Sequence, residues 1–192
     1  MALLRDQGNK NSFDTWASFR AVPKTLETVV GLCLRNERLK RLLYYTDPHA
    51  LSLPMLTREQ TASLIGTSIK IVPKLEIDPD IKPYIIISLD QFVPNPGQTT
   101  FKQVMLSIDI LCAYKDWNLT DFNLRPYAIA GELDGMINNS FVSGGIGEFK
   151  GAKQLILNEH LGGCTLYYNL TTLLDDYEPQ TLNAPGSNGY RN

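Results

Sequence analysis

The chain is poor in the residues that most often carry chemistry. It has two histidines, His49 and His160, and three cysteines, Cys33, Cys112 and Cys164, all far apart. A zinc site wants CxxC-type pairs or clustered histidines, and neither occurs here. The cysteines are odd in number and embedded in apolar sequence, so they read as small buried hydrophobes of a reducing compartment. No metal and no cofactor is expected. Long hydrophobic runs are also missing, since none approaches the ~18–20 residues that span a bilayer. The opening "MALLRDQGNKNSF" turns polar at Arg5, unlike a secretory signal. We therefore expect a protein made and assembled in the cytoplasm, with no membrane partner. The sequons at Asn118, Asn138 and Asn169 are then chance matches. A charge of one sign is lacking too: 18 Lys and Arg stand against 20 Asp and Glu, a net charge of −2. Tight binding to a phosphate backbone needs a concentrated cationic excess, so nucleic-acid recognition is not predicted.

Motifs of nucleotide binding fail on spacing. The Gly-rich stretch Ser143–Lys153, "SGGIGEFKGAK", contains Gly144, Gly145 and Gly147, but a phosphate loop needs GxxxxGK followed by Ser or Thr. Here Gly151 leads through Ala152 and Lys153 to Gln154, and the dinucleotide pattern GxGxxG finds Lys150 where its last glycine belongs. A flexible hairpin or loop is the reading that remains. His160, in "NEHLGG", has no Ser or Cys in motif context, so no nucleophilic triad is indicated.

What is present is an ordinary globular composition: 192 residues, 43% hydrophobic and 20% charged. Such a length forms one domain and buries about 70% of the surface that the unfolded chain exposes. We divide it into an N-terminal arm (1–22) with isolated Phe13, Trp16 and Phe19, a folded domain (23–174), and a polar, Pro/Gly-rich tail (175–192) expected to be mobile. Val29, Leu32, Leu39 and Leu43 fall on one stripe of a helix predicted from about Pro23 to Tyr45. Arg35, Arg38 and Arg41 form a basic stripe, with Glu37 placed to pair with Arg41. That stripe is either a solvated face or a contact for an acidic partner, and the solvated face is favoured. Thr57 and Gln60 make a capping box for a short helix that Gly66 closes. From Thr67 the period becomes two, in "TSIKIV", then in "PYIIISLDQF", and most clearly from Phe101 to Ala113. The last two make a hairpin, and "KQLIL" and "CTLYYNLTTLL" supply the closing strands. The fold class is α+β: a mainly antiparallel, twisted sheet with one long helix and one or two shorter helices packed on it.

The helix Leu124–Asn139, "LRPYAIAGELDGMINN", holds two carboxylates that invite a catalytic reading. At 100° per residue Glu132 and Asp134 diverge by about 160°. They cannot act as a pair on one substrate. Ile129, Ala130, Leu133, Met136 and Ile137 form the apolar sector, while Ala128, Gly131 and Gly135 align on the opposite side. Glycine in a helix interior costs roughly 0.8–1 kcal/mol against alanine. Two of them spaced by four suggest that a strand of the same domain, or another subunit, approaches the backbone there.

The order of segments resembles a known family. A long N-terminal helix is followed by a "PYI" strand, a hairpin into "LSIDILCAY", the helix "LRPYAIAGELDGMIN", a Gly-rich link and a closing strand introduced by "LGGCTLYY". This looks like the tail terminator (tail completion) proteins of tailed bacteriophages and, more loosely, the minor head–tail joining proteins, over roughly Leu26 to Leu173. The match is one of element order, without an active-site motif. The arm before Pro23, the inserted helix near Thr57 and the polar tail depart from it. The resemblance implies a virion protein, not an enzyme, that closes into a hexameric ring at the tail–neck junction. Its partners would be copies of itself, the tail tube protein and the head-completion or neck proteins. DNA would pass through the channel without sequence-specific binding. Ala128, Gly131, Gly135, Gly144, Gly145, Gly147, Lys150 and Lys153 are the candidate interface or lumen residues. Two other classes remain open. One is a small nucleotide-binding enzyme using the Gly-rich stretch with Glu132 or His160, and the other is an adaptor using the arginine stripe.

Overall fold

The computed structural model describes residues 21–71, 82–95, 98–120, 123–142 and 145–172. The predicted arm and tail lie outside these residues, apart from the few at the start of the first helix, and so does Gly144. The chain forms one six-stranded sheet with helices against it, an α+β architecture.

The long N-terminal helix is in fact two. Helix α1 (Ala21–Arg35) ends before Asn36 and α2 (Glu37–Tyr44) begins after it. Asn36 takes an extended backbone, φ −85° and ψ 106°, and its side-chain oxygen accepts from the Leu39 N–H at 3.0 Å. It therefore caps α2 by the usual Asn mechanism, offering an orphan amide a partner. The break also divides the arginine stripe. Arg35 closes α1, Arg38 meets Glu132 at 2.6 Å, and Arg41 donates to the Leu51 and Leu53 carbonyls beyond the end of α2. Glu37 pairs with Lys40, not with Arg41.

Helix α3 (Arg58–Ser63) carries the predicted capping box, with Thr57 and Gln60 each bonded to the other's backbone. Gly66 follows at φ +81°, the left-handed turn for which glycine is suited. The strand expected from Thr67 shrinks to β1 (Ile69–Lys70), which pairs parallel with the next strand.

β2 (Tyr84–Asn95) and β3 (Gln98–Ala113) form the antiparallel hairpin. Helix α4 (Arg125–Ile137) follows, then β4 (Phe141–Val142), β5 (Gly145–Ile156) and β6 (Leu161–Thr172). The strand order is β1-β2-β3-β6-β5-β4, and every pairing except β1–β2 is antiparallel. The Gly-rich stretch from Gly145 onward is thus a strand, not a loop. Its register is imposed by β6, which glycine's weak strand preference does not oppose strongly enough to prevent.

Alternation along β2 and β3 decides which face is covered. Ile85, Ile87, Leu106, Ile108, Ile110 and Cys112 point into the main core. There they meet Val29 of α1, Leu39, Leu42 and Leu43 of α2, and Ile129, Leu133 and Ile137 of α4, all fully buried. Each such side chain contributes roughly 1.5–3 kcal/mol by leaving water. The opposite face carries a smaller cluster, Tyr84, Ile86 and Leu111, with Leu155 and Leu157 packed beside it. Next to it run polar cross-strand pairs, Ser88 with Ser107 at 2.8 Å and Thr165 donating to Asp109 at 2.6 Å. No helix among the described residues is long and apolar enough to cross a membrane.

Candidate functional site

The two carboxylates of α4 are committed to separate tasks. Glu132 accepts from Asn36 at 3.0 Å and from Arg38 at 2.6 Å, and so holds the junction of α1 and α2. Asp134 accepts the Tyr168 hydroxyl at 3.0 Å, tying α4 to β6. Burial, and then this carboxylate, push the Tyr168 phenol above its ordinary range. Each carboxylate has a structural partner on its own side of the helix.

Among the described residues, nothing covers the small-residue side of α4 at Gly131 and Gly135. Gly131 and Gly135 are exposed, and a Cβ built on either would meet no atom within 4 Å. Ala128 is half-buried against the edge of the core. The close backbone approach predicted for this helix lies elsewhere. At Gly147 a Cβ would overlap the Ile137 carbonyl oxygen, and at Gly163 it would overlap the Ile110 carbonyl. The C-terminal end of α4 therefore rests on β5 through Gly147, with Asn139 donating to the Gly147 carbonyl at 2.7 Å and Gly147 donating to Ser140 at 2.9 Å.

The remaining candidates, Gly145, Gly147, Lys150 and Lys153, come together along β5. Gly145 and Ile146 pair with the two residues of β4. Register slips at Lys150, so that Phe149 faces Tyr168 and Gly151 faces Tyr167, leaving Lys150 as a bulge with Glu148 at 2.7 Å. Gly151 accommodates the bulge at φ +153°. From Lys150 to Ile156, β5 has no strand on its outer side among the described residues. Phe141 and Ile146, which are register partners and so share one face, are 70% and 59% exposed. Lys153 is exposed farther along the same strand. The edge thus offers unpaired backbone, apolar side chains and cations in one strip.

Three features were not anticipated from the sequence. The first is Arg125, fully buried at the start of α4. It donates to five carbonyls: Asp116 (2.7 Å), Leu42 (2.9 Å), Tyr45 (2.6 Å), Thr46 (2.9 Å) and Asp47 (2.8 Å). Two of these carbonyls belong to the last turn of α2 and its cap, where a cation is favourable. Burial lowers the guanidinium pKa, yet Arg stays charged in proteins. The signal in the sequence is a cation in the first turn of a helix, where the dipole disfavours it unless something else holds it. The second is Phe141 with Ile146. The third is an apolar groove of about 580 Å³ at the opposite end of the sheet, between α1 and β1. Pro23, Leu26 and Val30 form one wall and Ile65, Ile69 and Ile71 the other, with Glu27 and Lys70 as its charged members. Ile65 and Ile71 are 56% and 53% exposed.

The remaining titratable residues read as structure. Cys33, Cys112 and Cys164 are buried free thiols, and burial raises Cys33 to about 12 and Cys164 to about 11. Such thiols are poor nucleophiles. His160 is exposed in the turn before β6, 3.2 Å from Glu159.

The fold defines an α+β protein that, among the described residues, exposes apolar side chains at both ends of its sheet. The family YomW matches residues 36–170, from the cap of α2 to the end of the β6 core, and the chain belongs to that family. It is phage-associated. No curated protein matches the chain.

Proposed function

We propose that this chain is a structural virion protein that forms a ring at the head end of a phage tail, terminates the tail tube and joins it to the neck. In this reading it works by shape and turns over no substrate. The observation that carries it is the β5 edge, an outward-facing strand with Phe141 and Ile146 beside it in a chain of a phage-associated family. The bulge and lysines of β5 disfavour edge-to-edge pairing of strands, whereas the exposed Phe141 and Ile146 make an apolar patch of the kind that contact sites use. A ring of six copies would leave a channel for DNA, and a chain of net charge −2 does not hold passing phosphates as a basic wall would. Copies of itself, the tail tube protein and the head-completion or neck proteins are the partners. The tail–neck junction of the virion is its location.

The test is light scattering and negative-stain imaging of the purified chain, alone and with tail tubes, together with particles lacking its reading frame. A ring on tube ends, and tubes of uncontrolled length when the frame is deleted, are the expected results. Tails of normal length that fail to join heads would reassign the chain to a neck adaptor. A monomer that never associates with tail proteins overturns the proposal.

A further inference from the structure

We infer that α1 is an exchangeable strap: it pivots at Asn36 and seats on the neighbouring copy the buried stripe that it seats on its own sheet here. The inference rests on the ring reading and adds the contact that links the copies. α1 stands apart from the rest of the fold in three ways. It lies outside the residues that match the family, which begin at Asn36, where α1 is separated from α2. It is joined to a helix that is capped without it. Asn36 is extended, caps α2 with its own side chain, and is held by Glu132 of α4, as is Arg38 beyond it. These bonds fix the pivot and not α1, and a change at one non-helical residue redirects a whole helix. Third, α1 is lightly seated. Of its described side chains only Thr25, Val29 and Cys33, one row at every fourth position, are buried, whereas α2 buries four in eight residues. Along one flank the apolar groove parts Pro23, Leu26 and Val30 from Ile65, Ile69 and Ile71, where a finished core would be close-packed.

The seat that would receive the helix is on view in the closed chain. α1 touches β2 near one end of the strand order and β4 at the other, so it bridges the two ends of a curled sheet. Ile85 of β2 and Val142 of β4 lie in the same core cluster as Val29 and Cys33 of the helix. A copy whose α1 has swung away leaves a gap that fits one known shape, α1 itself. The released helix carries an apolar row that only such a seat covers, on its own copy or on another. Exchange therefore needs no complementarity beyond the one already present, and swapping an identical element is a low-cost way to join copies. Each copy gives one helix and receives one. Such a contact is heterologous, and it closes into a ring when the rotation permits.

The test is a cross-link across the groove in the full-length chain, made with a short bismaleimide between Glu27→Cys on α1 and Ile71→Cys beside β1. Both positions are exposed and both line the groove, so neither change disturbs the core. The three native cysteines are buried and stay unmodified on brief treatment. In the free monomer the link forms within one chain. In rings, assembled alone or on tail tubes, it is expected to join different chains. The product is then a ladder on a denaturing gel that neither single variant gives. Rings whose link stays within one chain overturn this inference and leave the ring reading standing. A second measurement uses the wild-type chain, with a small maleimide in native buffer and mass spectrometry to follow each thiol. When α1 lifts as a unit, Cys33 labels at least about tenfold faster than Cys112 of β3, which waits for global unfolding. Equal rates at the two cysteines overturn the inference, because α1 then leaves its seat only when the whole chain unfolds. A wild-type chain that never assembles overturns the ring reading, and the exchange falls with it whatever Cys33 does.

Discussion

Arg125 and the outer side of β5 are opposite extremes of one accounting. At Arg125 all the donors that the fold encloses find carbonyl oxygens, drawn from α2, the loop after it and the turn after β3. Along β5 from Lys150 to Ile156 a row of backbone groups has no strand partner among the described residues. Buried polar groups cost several kcal/mol when unmatched, so a fold completes them internally. Groups at an edge are satisfied by water until a partner replaces it. The difference separates what holds this chain together from what it can offer to another.

The largest effect should follow from removing the enclosed charge. Arg125→Met keeps the bulk but strips five carbonyls of their donor, among them the last turn of α2. Breaking a buried, fully bonded ionic group costs about 3–5 kcal/mol. Urea unfolding should show the midpoint falling by a corresponding amount, with loss of cooperative folding at 37 °C as the extreme. A loss below about 1 kcal/mol would mean that water replaces the guanidinium at these carbonyls, and the contrast with the β5 edge would weaken.

A smaller loss is expected where helix and sheet touch. In Gly147→Ala the added methyl overlaps the Ile137 carbonyl, a backbone atom that moves only if α4 lifts from β5. Overpacking of this kind costs about 1–3 kcal/mol. The variant should lose that stability while retaining its secondary structure, measured by urea midpoint and far-ultraviolet circular dichroism. An unchanged midpoint would show that the end of α4 is only loosely seated on the strand.

How far the sequence displayed these features depends on whether each is local. The β2–β3 hairpin was legible because Ile85, Ile87, Leu106, Ile108 and Ile110 alternate without interruption, and alternation is a property of neighbouring residues. The Thr57–Gln60 capping box was legible for the same reason. The break at Asn36 was not. Asn36 sits among good helix formers, and the amide that caps α2 also bonds Glu132, 96 residues away. The second half of β5 is legible in "KQLIL", but its Gly-rich first half reads as a flexible hairpin or loop because glycine and lysine weaken any strand pattern, while the forces that make it a strand come from β6 beside it and Ile137 above it. Of the candidate interface residues, Gly145, Gly147, Lys150 and Lys153 share one edge, whereas Gly131 and Gly135 stand apart on the open side of α4. Phe141 and Ile146 gave no signal, since one exposed phenylalanine in a sequence looks like any other until its partner across the register is known.

The last and smallest effect has the opposite sign. Gly131 and Gly135 lie on an exposed helical surface where an added methyl meets nothing within 4 Å. Each replacement by alanine should therefore raise the stability of the free chain by about 0.8–1 kcal/mol, the helix-propensity difference. Thermal or urea unfolding of the unassembled chain would register this directly. If a neighbouring subunit rests on that surface in the proposed ring, the same two methyl groups weaken assembly while strengthening the monomer, and the two measurements diverge. If nothing rests there, stability rises and assembly is unaffected. Destabilisation of the free chain would contradict the open surface itself. The glycines of α4 would then belong with Gly147, as positions that the fold has already closed.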